Sequence, residues 1–133
     1  MITNMAHACF TVSDMDRAEQ FYVGALELKP AFDYIDEQGK RYGLYLYLGG
    51  RNFIELFTGE LGEPAQKQSF RHICLEVDDI QTTVQRLRSK GVEVSEPKLG
   101  KDRSWQAWIT DPDGNRIELH DYNPDSKQTP YIT

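Results

Sequence analysis

At 133 residues, 39% of them hydrophobic and 27% charged, the chain has the composition of an ordinary folded protein, long enough for one domain built of two small halves and too short for two independent domains. A formal net charge of -6 argues against nucleic acid or an anionic membrane as partner, since both reward a basic face. No apolar run reaches the length of a membrane span, and MITNMAHACF lacks a basic region followed by an apolar one; the chain is expected to be cytoplasmic, with Cys9 and Cys74 reduced and buried as small apolar residues.

Residues 6–12, AHACFTV, alternate as a strand with His7, Cys9 and Thr11 on one face. Ser13 is the expected cap of a helix that carries Asp14 and Asp16 in its first turn and an apolar stripe of Met15, Ala18, Tyr22 and Ala25, ending near Leu28. Residues 31–35 and 42–48 flank the polar DEQGK and predict a hairpin; Gly49-Gly50 then turns the chain into a strand bearing Glu55. Residues 59–69 form a linker, rich in Gly and polar residues and nearly free of apolar ones.

The order then repeats. Residues 71–77, RHICLEV, match the first strand, with His72 in the place of His7 and Cys74 in that of Cys9. Asp78 and Asp79 open a second helix with Ile80, Val84 and Leu87 on one side, and Gly91 stands where it should end. Val92-Glu93-Val94 fills the next strand position, residues 104–110 the one after, and DPDGN makes a tight turn into residues 116–120. GRNFIELF at 50–57 aligns without gaps on DGNRIELH at 113–120, so Glu55 and Glu118 are counterparts. The period of about 65 residues is too long for a solenoid and indicates a duplicated module. The boundaries are module 1 at about 5–58, the linker, module 2 at about 70–122, and a tail, 123–133, without periodicity.

Glu55 shares its face with Phe53 and Phe57, an apolar setting in which an unpaired charge costs several kcal/mol, so a cation is expected to meet it. Arg51 and Arg116 are candidates, and Glu118 taken singly has solvent as an alternative. The joint pattern favours a metal, because His7, Glu55, His72 and Glu118 hold matching places in the two halves. Two imidazoles and two carboxylates suit one divalent ion of Ni, Zn, Co, Mn or Fe. His120, whose counterpart is Phe57, is assigned to the pocket lining. Tyr45, Tyr47, Trp105 and Trp108 give the expected pocket an aromatic character, and Lys101 and Arg103 stand on the loop before it.

Over residues 5–122 the chain resembles the vicinal oxygen chelate superfamily, the glyoxalase I, bleomycin-resistance and extradiol dioxygenase group, through HACFTVSDMDRAEQFY, NFIEL, HICLEVDDI and DPDGNRIEL. The resemblance implies an α+β fold in which two tandem βαβββ modules form a curved mixed sheet around a metal cavity, with His7, Glu55, His72 and Glu118 as ligands. Four protein ligands are the pattern of glyoxalase I and, with a Gln sometimes in the Glu55 place, of methylmalonyl-CoA epimerase, whereas dioxygenases and fosfomycin-resistance transferases typically use two His and one Glu. It therefore implies a glyoxalase I-like lyase or isomerase, often a homodimer, acting on a small molecule with vicinal oxygens by proton transfer through an enediolate held on the ion, with Glu118 or Glu55 as base. An epimerase, an extradiol-type dioxygenase and a non-catalytic binding protein of the resistance type are the alternatives. Thr11 stands where bacterial glyoxalase I usually has an Arg for the glutathione carboxylate, so the resemblance does not extend to that contact.

Overall fold

A computed structural model describes residue 1, residues 3–62 and residues 69–132. It divides the chain into two compact units, Met1–Gln66 and Lys67–Thr133. Of the expected linker, residues 63–68 lie outside the described part.

The first unit runs β1 (His7–Val12), α1 (Met15–Glu19), a π-helical turn (Gln20–Ala25), then β2 (Lys29–Ile35), β3 (Arg41–Gly49) and β4 (Asn52–Thr58). Its sheet has the order β1-β4-β3-β2, with β1 parallel to β4 and the other pairs antiparallel. Strand alternation sends Phe10, Val12, Leu44, Leu46, Ile54 and Leu56 to one face, where Met15, Ala18 and Tyr22 join them in a buried core. Each buried Phe, Val, Leu, Ile or Met among them contributes about 1.5–3 kcal/mol relative to leaving it in water. Arg41 ties α1 to the sheet, with Nη2 donating to Glu19 at 2.5 Å and Nη1 to Asp33 at 3.3 Å.

Two local expectations are corrected here. The helix cap is Asp14 rather than Ser13: its backbone is extended and its carboxylate accepts from Arg17 N at 3.0 Å. The helix does not run on in α-form to Leu28; from Gln20 it widens, with Leu26 N donating to Phe21 O at 2.9 Å. Pro30 lies within β2, on the outermost strand where its missing donor is tolerated.

The second unit runs β5 (Ile73–Glu76), α2 (Ile80–Ser89), β6 (Lys98–Leu99), β7 (Trp105–Thr110), β8 (Arg116–Asp121) and α3 (Thr129–Ile132). Its sheet order, β5-β8-β7-β6, has the same pattern of parallel and antiparallel pairs. Ile80, Val84 and Leu87 of α2 bury with Ala107, Ile109, Ile117 and Leu119. Asp79 caps α2 by accepting from Thr82 N at 2.6 Å, and Gly91 follows the helix with φ +80°. In the 111–115 turn the Asp111 carboxylate accepts from the backbone N–H of Asp113 and Asn115 and from the Asn115 side chain, so the acid at the head of DPDGN closes the turn.

The Val92-Glu93-Val94 segment is not a strand. Arg88 Nη2 donates to Val94 O at 2.9 Å, Ser95 N donates to Trp108 O at 3.0 Å, and the ladder with β7 is formed by Lys98 and Leu99. The tail is ordered against its own unit. Ser104 Oγ donates to Ser126 Oγ at 2.9 Å, both residues being buried, Gln128 Nε2 donates to Asp102 at 2.7 Å, and Asn123 Nδ2 donates to Arg103 O at 2.6 Å. Among the described residues no helix is long and apolar enough to cross a membrane.

Candidate functional site

In the first unit the parallel register sets Cys9 beside Glu55, and the antiparallel register sets Tyr45 on its other side. His7, at the start of β1, leans toward the same carboxylate, with Nε2 3.2 Å from Glu55 Oε1. Tyr45 Oη lies 3.1 Å from His7 Nδ1, which fixes the ring and leaves Nε2 for the glutamate or for what replaces it. The Glu55 side chain is only 16% exposed, and among the described residues its ion-pair partner is His7 rather than an arginine or a lysine. Its neighbours register it: the Cys9 thiol is held above its ordinary range by desolvation, then by a hydrogen bond and the charge of Glu55, and the Tyr45 phenol by desolvation and then the same charge.

In the second unit Cys74 and Trp108 flank Glu118 across the sheet. His72 sits just before β5, Nε2 3.0 Å from Glu118 Oε2, and His120, two residues along β8, brings Nδ1 to 3.2 Å from Oε1. The Glu118 carboxylate, 13% exposed, is thus held between two imidazoles. Trp108 sets its plane edge-on to His72 at 4.7 Å, and the Arg116 guanidinium lies 4.3 Å above the Trp108 ring. Arg116, one suggested partner for Glu55, is spent on this stack.

His120 belongs to the group more closely than its sequence position indicated. Donor atoms of Cys74, Glu118 and His120 all lie within 4.8 Å of one another. The His120 side chain is 9% exposed, and its Nε2 is buried without a hydrogen-bond partner, 3.5 Å from Asp102 Oδ2. Asp102 is kept ionised below the usual carboxylate range, chiefly by the hydrogen bond from Gln128. Alternation along β8 already set His120 on the Glu118 face; no sequence signal marked Asp102, a loop residue. Both cysteines are free and exposed rather than buried. Arg103 serves the tail through its backbone carbonyl.

Each unit therefore brings one predicted His and one predicted Glu together. The two separations fit a shared cation, because donors bound to one ion at about 2.0–2.2 Å stand roughly 3.0–3.4 Å apart. The donor chemistry, imidazole nitrogen and carboxylate oxygen, fits a borderline divalent metal, and the Tyr45 contact to the far nitrogen of His7 is of the kind that orients a ligating ring.

Comparison with known proteins agrees with these features. The family model described as Glyoxalase/Bleomycin resistance protein/Dioxygenase superfamily matches residues 4–119. The chain is 34% identical over 125 residues to the metallothiol transferase FosB of Staphylococcus epidermidis, covering 90% of this chain and 82% of that protein. It is 32% identical over 126 residues to the probable chloroplastic lactoylglutathione lyase of Arabidopsis thaliana, covering 90% of this chain and 36% of that protein. Among solved structures, TnmS3, an antibiotic binding protein from Streptomyces sp. CB03234, matches with a TM-score of 0.73 and 28% identity over 92% of this chain and 98% of that one.

Proposed function

The chain belongs to the glyoxalase/bleomycin resistance protein/dioxygenase superfamily, and we propose that it is a glyoxalase I-like lyase or isomerase that moves a proton beside a carbonyl, with His7, Glu55, His72 and Glu118 holding one divalent metal ion. The observation that carries this reading is the matched pair of His–Glu contacts, 3.2 Å at His7–Glu55 and 3.0 Å at His72–Glu118. A site with a single carboxylate would have no use for Glu55, a largely buried acid on an aromatic face.

When bound, such an ion supplies Lewis acidity that polarises vicinal substrate oxygens and acidifies the neighbouring C–H. The protein's own part is the proton. Glu118 takes it on a carboxylate oxygen and returns it to the adjacent carbon, giving isomerisation; epimerisation instead has Glu55, carrying its own proton, deliver that proton to the opposite face while Glu118 keeps the one it took, the two carboxyls resetting by exchange with water. His120, which is not among the proposed ligands, holds Glu118 Oε1 in place, so the carboxylate need not reorganise as charge moves. Proton transfer of this kind contributes about 10²–10⁴-fold.

The test is elemental analysis of the purified protein, followed by deuterium wash-in from heavy water into a panel of α-hydroxycarbonyl compounds, ketoses and hemithioacetals. About one divalent ion per site and exchange with at least one compound are expected, and Glu118→Gln should lower exchange by 10²-fold or more. Metal-loaded protein that exchanges nothing would sink the proton-transfer reading. The same preparation tests a homodimer: a monomeric mass with a full metal complement overturns it. The 34% identity to a metallothiol transferase favours thiol transfer to an electrophilic small molecule as a second reading. Deuterium wash-in separates the two, since proton transfer exchanges a substrate C–H with solvent and thiol transfer does not.

A further inference from the structure

The open face of the first sheet carries a row of rings that core packing does not require. Strand alternation places Phe32 and Tyr34 of β2, Tyr45 and Tyr47 of β3, and Phe53 and Phe57 of β4 on the face opposite the buried leucines. They touch in an unbroken sequence. Tyr47 meets Phe53 at 5.4 Å, Phe53 meets Tyr45 at 5.2 Å, Tyr45 stacks on Phe32 at 4.6 Å with only 12° between planes, Phe32 meets Tyr34 at 5.6 Å, and Tyr34 meets Phe57 at 5.3 Å. Phe32 remains 48% exposed and Tyr47 39% exposed, so solvent still reaches one end and the middle of the row. An apolar surface of this kind on an open face marks a place where something binds.

We propose that this aromatic row seats a planar aryl group of the substrate, which makes the ligand class an aryl-bearing compound with vicinal oxygens. The choice of occupant follows from what surrounds the rings. His7 and Glu55 stand within the row, with Tyr45 bonded to His7, so a group lying on the rings is adjacent to the residues assigned to the chemistry. A cationic guest is disfavoured because Glu55 is already met by His7 and because the rings form a layer rather than walls around one point. The proposal rests on the metal reading for the oxygens, and on the rings alone for the aryl group.

Mandelate and lactate present the same vicinal oxygens and differ in a phenyl against a methyl, so titrating both into the metal-loaded protein isolates the row. Mandelate is expected to bind roughly ten-fold tighter, the worth of a ring–ring contact together with the burial of the phenyl. The Phe32→Thr, Tyr47→Thr double variant, changed at two exposed positions and checked for folding by circular dichroism, should bring that ratio close to one. Equal affinities in the unaltered protein, or failure of both acids to bind, overturn the aryl seat, as does a double variant that keeps the preference or that changes only the oligomeric state. EDTA treatment separates the two readings. A fall in both affinities with mandelate still the tighter binder supports both, whereas affinities that ignore EDTA while mandelate still wins refute the metal reading and leave the aryl seat standing.

Discussion

Cys74 is open to solvent as a residue, yet its thiol is pushed up to about 12, by desolvation first and then by the charge of Glu118 and a hydrogen bond to it. The two facts are compatible because exposure measures the surface of the residue, while desolvation reflects the protein packed around the sulfur; for reactivity the second governs. A raised folded pKa means that the native thiol keeps its proton where the unfolded one, near 9, has lost it. Its contribution to stability therefore falls as pH rises from about 9 toward 12. In metal-free protein at pH 8, iodoacetamide should label Cys74 on the order of tens-fold more slowly than in urea-unfolded chain, since lost thiolate outweighs the gain in nucleophilicity. Glu118→Gln should speed native labelling, as followed by mass spectrometry. Equal native and unfolded rates would show that Glu118 and its surroundings do not act on the sulfur.

Among the elements, β3 and β4 show how one small residue sets a face. Gly43 pairs with Phe57, and a Cβ there would come within 2.7 Å of Phe57 Cε1 and 3.0 Å of Tyr34 Cδ2. Gly43→Ala should cost about 1–3 kcal/mol in urea unfolding, as overpacking does, and should open the aromatic row at that end. The strands that carry the site were legible because alternation has a fixed period and His7, Glu55, His72 and Glu118 recur at matched offsets within it. What was not legible depended on competition for backbone groups. Ser13 and Asp14 are both good caps, and only the extended backbone of Asp14 decided between them. Val92-Glu93-Val94 alternates as a strand does, but Arg88 takes the Val94 carbonyl. No residue pattern announced the widening at Gln20, and the Tyr45 contact that orients His7 required the register of β3 on β4.

At the scale of the molecule, the chain is two units of like topology, and the second is finished by its tail. Removing residues 123–133 strips the Ser104 hydroxyl of its Ser126 and Gln128 partners and Asp102 of Gln128, and a buried hydroxyl left unpaired costs about 1–3 kcal/mol. Truncation after Tyr122 should lower the melting temperature; an unchanged transition would mean that the docked tail contributes nothing. The tail escaped sequence reading because serine–serine and glutamine–aspartate contacts have no period. One pairing bears on the history of the duplication. Phe57 stands opposite Gly43, while its counterpart His120 stands opposite Gln106. Turning Phe57 into His leaves an unfilled gap over glycine, and enlarging Gly43 while Phe57 remains collides with the ring. In the first half, position 43 can thus enlarge only after Phe57 has shrunk, so the order of two changes is constrained and the repeats are held apart once each has taken its own course.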